Sequence, residues 1–214
     1  MKLLVLFGGL GAFCGGIVCH IVASWWQVRS YRRVTIVITS LLFVLMVKSV
    51  PGFIAQAAFC LLCLGLVALT LIDLQTYRLP REISYSTLGL GAPMLTMSAV
   101  ASGEPSRIWG LILGALAALT VTGFLHLASR GALGDGDVRM SPLLGAYLGW
   151  LDPLSVVHGL MLSFTLGAIA GVLLMIMTKA DRRTALPFGP FLAMGTLMAI
   201  VLPPPMLTVL SGGW

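Results

Sequence analysis

Apolar segments dominate this chain and limit what it can fold into. Eight can be marked along its 214 residues, and most approach the roughly 20 residues that an α-helix needs to cross a bilayer. They cover residues 3–26, 34–50, 54–72, 84–102, 108–128, 140–151, 154–178 and 187–210. The sixth is short and glycine-rich, so it is the weakest candidate for a full span. The pattern predicts an all-α fold, a polytopic transmembrane helix bundle with about eight membrane segments.

The composition leaves little room for a soluble domain. The chain is 58% hydrophobic and 9% charged, whereas about 25% of the residues of a soluble domain are charged. We therefore expect one integral membrane domain over residues 1–214, with the lipid bilayer as its surroundings. The net charge of +6 comes from basic residues in short loops. Such residues determine membrane topology, so we expect no nucleic-acid partner.

The distribution of basic residues predicts the orientation. With the N-terminus outside, the cytoplasmic loops hold ten basic residues and the opposite side holds three, a strong positive-inside bias. The ten are Arg29, Arg32, Arg33, Arg78, Arg81, Arg130, Arg139, Lys179, Arg182 and Arg183. The three are Lys2, Lys48 and Arg107. This prediction requires the sixth segment to cross the membrane fully.

Cysteines and histidines give little support for a metal site. Cys60 and Cys63 have the spacing of a metal or redox pair, but they lie inside an apolar run without a second pair, so we expect buried free thiols. His20, His126 and His158 fall at different predicted depths in the membrane. A site built from all three histidines is therefore not expected.

Two aspartates fall at the same predicted depth. Asp73 directly follows the third apolar run, and Asp137 precedes the sixth segment, so both lie at the cytoplasmic side although 64 residues separate them. An ionisable residue at the edge of a membrane span is costly and is a functional candidate by default. Two carboxylates at one depth suit aspartic proteolysis, in which one acts as base and the other, protonated, as acid. Alternatively, both are ordinary helix-end residues that pair with nearby arginines.

Asp135 permits a different interpretation of the same segment. Asp135 and Asp137 form a D-x-D pair that could hold a divalent cation, although the further ligands of a calcium loop are absent. A metal-dependent transferase or a cation transporter would be the corresponding class of protein. The alternative function is therefore a polytopic transporter or metal-binding membrane protein that uses these two residues.

Three stretches of the chain carry recognisable motifs. They are ALTLIDL at 68–74 followed by RLP at 78–80, GDGDVR at 134–139 followed by LGAYLGW at 144–150, and LPFGPF at 186–191. In this order they resemble the type IV prepilin peptidase family, polytopic aspartic proteases of the GxGD class. The similarity covers residues 66–194, and three motifs in order are far more specific than the GxGD tetrapeptide alone.

The resemblance implies roles for individual residues. Asp73 and Asp137 would be the catalytic aspartates, and Gly134 and Gly136 would shape the turn that presents Asp137. Asp135 occupies the variable position of GxGD, so an essential role for it is not implied. Residues that would support the site or the substrate are Asp135, Arg139, Pro80, Pro187 and Gly189.

The resemblance also implies a reaction and a place in the cell. Members cleave short basic leader peptides, after a glycine, from prepilins or pilin-like secretion proteins at the cytoplasmic face of the bacterial inner membrane. No cofactor or metal is implied for cleavage. Larger members carry two C-x-x-C pairs between the first two spans, associated with zinc and N-methylation. Here residues 27–33 fill that place, so we expect a small peptidase without methyltransferase activity.

Overall fold

The computed structural model describes residues 2–26, 31–129, 133–178 and 187–202. These residues form eight α-helices and no β-strand, which confirms the predicted all-α bundle. The helices are α1 (Lys2–Trp26), α2 (Arg32–Ser49), α3 (Phe53–Thr76), α4 (Arg81–Ala101), α5 (Ser106–Ala128), α6 (Asp135–Leu151), α7 (Pro153–Thr178) and α8 (Gly189–Val201). The last part of the predicted eighth segment and the basic loop at 179–186 lie outside the described residues.

Four of these helices are long and apolar enough to cross a membrane by themselves, namely α1, α3, α5 and α7. The 17 residues of α6 extend about 26 Å, slightly less than the roughly 30 Å of a hydrocarbon core. Neighbouring helices surround α6, and residues 143–150 are all buried. It is therefore an interior helix of a membrane bundle, which explains its weak apolar signal.

The helices α5 and α6 approach each other until their backbones touch. Gly110 and Gly114 of α5 face Gly145 and Gly149 of α6, and a Cβ atom on any of the four would strike a carbonyl oxygen of the opposite helix. Small residues let membrane helices gain close packing contacts where lipid provides no hydrophobic driving force between them. This crossing fixes the position of α6 in the bundle.

Aromatic residues tie α6 to the helices on its other sides. The Tyr147 hydroxyl donates to the Ala58 carbonyl oxygen of α3 at 3.1 Å, and the ring meets Phe59 edge to face at 5.1 Å. The Trp150 indole N–H donates to the Leu95 carbonyl oxygen of α4 at 3.0 Å. Because a buried Tyr or Trp needs a partner for its polar atom, these bonds select one arrangement of α3, α4 and α6.

The start of α6 differs from the prediction. The apolar segment was predicted from residue 140, but the helix begins at Asp135, so Asp135 and Asp137 are helical. Acidic side chains in a first turn interact favourably with the positive end of the helix, a stabilisation that hydropathy does not detect. Because successive helices run in opposite directions, the end of α3 and the start of α6 meet at one end of the bundle.

Candidate active site

Asp73 lies in the last turn of α3, where the chain leaves the helix sharply. Tyr77 is the C-cap residue, has a left-handed φ of 53° and donates its N–H to the Asp73 carbonyl oxygen at 2.9 Å. The side chain of Asp73 points into the bundle, and the residue is only 4% exposed. Its Oδ2 atom accepts the backbone N–H of Gly189, at the start of α8, at 3.0 Å. The carboxylate is therefore held between the end of one helix and the start of another.

Asp137 lies in the first turn of α6 and is 5% exposed. Gly134 is the N-cap residue of this helix, and its carbonyl oxygen accepts the Asp137 N–H at 3.1 Å. The Asp137 side chain reaches back toward Gly134, where a Cβ atom would lie 3.1 Å from Asp137 Oδ2. Its Oδ1 atom is buried and has no hydrogen-bond partner among the described residues. A buried polar atom without a partner is rare, and it marks this carboxyl group as a functional candidate.

The two carboxyl groups are close enough to influence each other. Asp137 precedes the apolar part of α6, and burial raises the pKa of its carboxyl group above the ordinary value. The negative charge of Asp73 raises this pKa further, whereas the hydrogen bond from Gly134 opposes the shift. Two neighbouring carboxyl groups with unequal surroundings favour a state with one proton between them, which general acid–base chemistry requires.

The side chain of Leu79 fills the space between the two glycine-containing turns. A Cβ atom on Gly136 would lie 2.8 Å from Leu79 Cβ, and one on Gly189 would lie 3.0 Å from Leu79 Cδ2. The Cβ atom on Gly189 would also lie 2.8 Å from Asp73 Oδ2. Glycine is therefore needed at both positions because of close approach, and Leu79 closes the site from the side of the 77–80 connection.

The other residues predicted to support the site have less direct positions. Pro80 is the buried N-cap residue of α4, directly after Leu79. Pro187 is half-buried and precedes Gly189 by two residues, and Arg139 is an exposed residue of α6. The structure thus places Pro80 at the connection between α3 and α4 and Pro187 just before α8. Arg139 lies on the outer surface at the same end of the bundle.

The structure separates Asp135 from Asp137. Residues two apart in a helix do not share a face, and the side chain of Asp135 is 71% exposed whereas Asp137 is buried. The nearest basic partner of Asp135 is His126 of α5, with 3.3 Å between Asp135 Oδ1 and His126 Nε2. The two carboxylates therefore do not converge on one cation, and this geometry gives the transporter or metal-binding alternative no support.

The cysteines also match the sequence interpretation. Cys60 and Cys63 are buried free thiols inside α3. Within the described ranges, no group of three or more His, Cys, Asp or Glu side chains is arranged to hold a metal ion.

Sequence reasoning did not find three contributors to this site. The N–H of Gly189 belongs to the backbone and leaves no trace in the sequence. Leu79 stands between Arg78 and Pro80 in a motif, and its position beside Pro80 is the signal that could identify it. The sequence suggests only a metal-ligand role for His126, although it lies nine residues before Asp135 and close to the same predicted membrane boundary.

Comparisons with known proteins show which family this chain resembles. A sequence profile of the type IV leader peptidase family matches residues 60–176, which contain both Asp73 and Asp137. The prepilin leader peptidase/N-methyltransferase of Stutzerimonas stutzeri is 35% identical over 153 residues, covering 70% of this chain and 51% of that protein. The protein of the same name from Aeromonas salmonicida is 33% identical over 170 residues, covering 77% of this chain and 55% of that protein.

A third relative with this name, from Pseudomonas aeruginosa, is 33% identical over 153 residues and is covered to 51% of its length. The chain thus spans about half the length of these curated relatives. No solved structure gives a significant match. The family profile covers more than half of the chain, its matched region includes the GxGD segment, and the all-α membrane bundle is the expected fold. The predicted resemblance is confirmed, and the chain belongs to the type IV leader peptidase family.

Proposed function

We propose that this protein is a membrane aspartic endopeptidase in which Asp73 and Asp137 cleave the basic leader peptide of prepilins or pilin-like secretion proteins. The observation that carries the proposal is the burial of two carboxyl groups at one end of the bundle, within each other's electrostatic influence. Burying a carboxyl group that is not fully paired costs free energy, so two such groups at one end of a membrane bundle indicate a functional site. Family membership supports the same reaction class.

The different surroundings of the two aspartates suggest different roles. Asp73 Oδ2 already accepts the N–H of Gly189, which requires a free lone pair and suits an ionised carboxylate. Asp137 Oδ1 has no hydrogen-bond partner among the described residues, and burial raises the pKa of its carboxyl group, which suits a protonated carboxyl group. We therefore assign Asp73 as general base and Asp137 as general acid.

Peptide hydrolysis follows from these roles. Asp73 takes a proton from a water molecule while the water oxygen attacks the scissile carbonyl carbon, and Asp137 donates its proton to the carbonyl oxygen. The tetrahedral diol then collapses: Asp137 takes a proton back from one of its hydroxyl groups, the C–N bond breaks, and the leaving nitrogen receives the proton held by Asp73, which returns both aspartates to their starting states. Each aspartate thus exchanges one proton per step, and the site needs an acid and a base at once.

Charge suggests both the substrate and the orientation. The loops at the active-site end hold most of the basic residues, which supports our proposal that this end lies in the cytoplasm and the N-terminus in the periplasm of a bacterial inner membrane. A leader peptide that is itself basic stays on the cytoplasmic side by the same rule. The aspartates and the leader would then meet at one face of the membrane.

The proposal is limited to peptidase activity. The curated relatives are named as both peptidases and N-methyltransferases, and the chain spans about half of their length. The connection at residues 27–33 contains no cysteine, so the tetracysteine site of larger members is absent at that place. We expect cleavage without methylation of the new N-terminus.

Reconstituted protein and a pilin-like substrate with a basic leader test this proposal. Mass spectrometry should find one cut at the end of the leader and no added methyl group when S-adenosylmethionine is present. The same substrate with its leader lysines replaced by glutamine should be cleaved more slowly. Absence of any leader cleavage by the wild-type protein, while a homologous peptidase cleaves the same preparation, would contradict the proposal.

A further inference from the structure

The C-terminal end of α5 and its C-cap residue form hydrogen bonds with the segment that precedes Asp137. His126 Nδ1 lies 2.6 Å from the Leu133 carbonyl oxygen, and the Leu133 N–H donates to Ser129 Oγ at 3.4 Å. Ser129 Oγ in turn donates to the His126 carbonyl oxygen at 3.2 Å. Both backbone polar groups of Leu133 are thus bound by one turn of α5.

The His126 imidazole also contacts Asp135, the residue that follows Gly134 in the sequence. Its Nε2 atom lies 3.3 Å from Asp135 Oδ1. Because a carbonyl oxygen only accepts, Nδ1 carries a proton in the contact with Leu133, and Nε2 donates to the Asp135 carboxylate only when the imidazole is protonated there as well. The Leu133 contact is the shorter one, and the Asp135 carboxylate is mostly exposed, so the first contact contributes more to holding the segment.

The contacts that fix the position of Leu133 also fix the position of Asp137. Gly134 follows Leu133 directly, accepts the Asp137 N–H at 3.1 Å and the Val138 N–H at 3.3 Å, and lies against the Asp137 side chain, since a Cβ atom on Gly134 would be 3.1 Å from Asp137 Oδ2. Gly134 therefore anchors both the backbone and the carboxyl group of Asp137. Glycines at 134 and 136 leave this segment with much backbone freedom, so its geometry depends on an outside anchor.

We propose that His126 is a positioning residue that fixes the first turn of α6, and with it Asp137, by hydrogen-bonding Leu133 and contacting Asp135. His126 does not touch the reacting atoms in this scheme. The consequence for cleavage rests on the proposed peptidase function, whereas the consequence for the first turn of α6 does not.

Three variants separate the two contacts. His126→Ala removes both. His126→Asn places an amide nitrogen near the position of Nδ1 and keeps the donor to Leu133, whereas His126→Gln places one nearer to Nε2 and keeps the reach toward Asp135. The Asn and Gln variants both keep a polar side chain, so their difference reports the contact rather than general packing.

Backbone hydrogen exchange gives a readout that needs no peptidase activity. In His126→Ala, the amides of Asp137 and Val138 should exchange about fivefold faster than in the wild type, the effect of losing one hydrogen bond of ordinary net strength. Amides in α2 should not change. His126→Asn should restore slow exchange, and His126→Gln should restore it only in part. Unchanged exchange in His126→Ala, or fast exchange in His126→Asn, would overturn the proposal.

Cleavage kinetics test the consequence for the reaction. His126→Ala should lower kcat about tenfold with KM within about twofold, because a displaced acid slows the chemical step more than it weakens substrate binding. His126→Asn should recover most of the rate. Wild-type kcat in His126→Ala, with Asp137→Asn inactive, would refute the positioning role. An active Asp137→Asn would instead refute the proposed function and leave the exchange result to decide on His126.

Discussion

The Oδ2 atom of Asp73 accepts the backbone N–H of Gly189 at 3.0 Å, which joins the last turn of α3 to the first turn of α8. These residues are 116 positions apart in the chain. The bond orients the Asp73 carboxylate by a backbone N–H, which every residue except proline possesses. The close approach also explains why residue 189 is a glycine, because a Cβ atom there would collide with the Asp73 carboxylate.

Alanine at Gly189 should therefore damage the site without unfolding the protein. The added Cβ would lie 2.8 Å from Asp73 Oδ2 and 3.0 Å from Leu79 Cδ2, so one of them must move. We expect leader cleavage to fall about tenfold or more. Gly89→Ala is the matched control, because its Cβ would meet nothing within 4 Å and alanine favours a helix. Equal rates for the two variants would show that the close approach has no functional role.

A larger residue at the crossing of α5 and α6 should lower the free energy of unfolding. In Gly145→Ala the new methyl group would strike the Gly114 carbonyl oxygen, so the helices must separate. Overpacking of this kind costs about 1–3 kcal/mol of the free energy of unfolding. Thermal unfolding in detergent should show a lower Tm for Gly145→Ala than for Gly123→Ala, a position in α5 with open space around it. Equal Tm values would contradict the backbone-to-backbone packing.

Hydropathy predicted the helices well because each must present an apolar surface to lipid or to its neighbours. It placed seven helix starts within a few residues and missed that of α6, whose first residues are polar and gain their stability from the helix N-terminus. The same segments also predict that Asp73 and Asp137 lie at one end of the bundle, since the order of the segments alone decides which helix ends share a side.

Contacts between distant parts of the chain could not be predicted in this way. The pairing of Gly110 with Gly149, and the bond between Asp73 and Gly189, depend on which helix faces which in three dimensions. A single sequence shows small residues and motifs but not their partners. His126 illustrates the limit, since its role depends on a carbonyl oxygen, which every residue possesses.

The buried carboxyl group of Asp137 should lower stability at neutral pH. Its pKa is raised in the folded state, so between the ordinary carboxyl value of about 4 and the raised value the folded protein binds more protons than the unfolded one. The free energy of unfolding therefore falls as the pH rises through this window. Asp137→Asn removes the titration, and its Tm at pH 8 should be about 2–4 °C above wild type, the shift that about 1 kcal/mol gives.

Thermal unfolding of both proteins from pH 5 to pH 8 checks this sign. The difference in Tm should grow with pH, because only the wild type loses stability on deprotonation. A difference that stays constant over this range, or that favours the wild type at pH 8, would show that Asp137 is not held in unfavourable surroundings.

Chelation should not stop the reaction, because the proposed mechanism activates water with carboxyl groups alone. Leader cleavage in the presence of EDTA or phenanthroline should proceed within about twofold of the untreated rate, a change too small to reflect loss of a metal that lowers the pKa of a bound water. Abolition by chelator with recovery on adding one divalent ion would favour the metal-binding alternative at Asp135 and Asp137.

The most direct test of the two-aspartate account is leader cleavage by Asp73→Asn, Asp137→Asn and the double variant at matched membrane abundance. Amide replaces carboxyl at nearly equal volume, so packing is kept while proton transfer is lost. Glu104→Gln is the control for the same chemical change, because Glu104 is an exposed residue whose ion pair with Arg107 contributes little. Each single variant should lose cleavage almost as completely as the double variant, since acid and base act as one unit. Wild-type cleavage by either Asp73→Asn or Asp137→Asn would contradict the account.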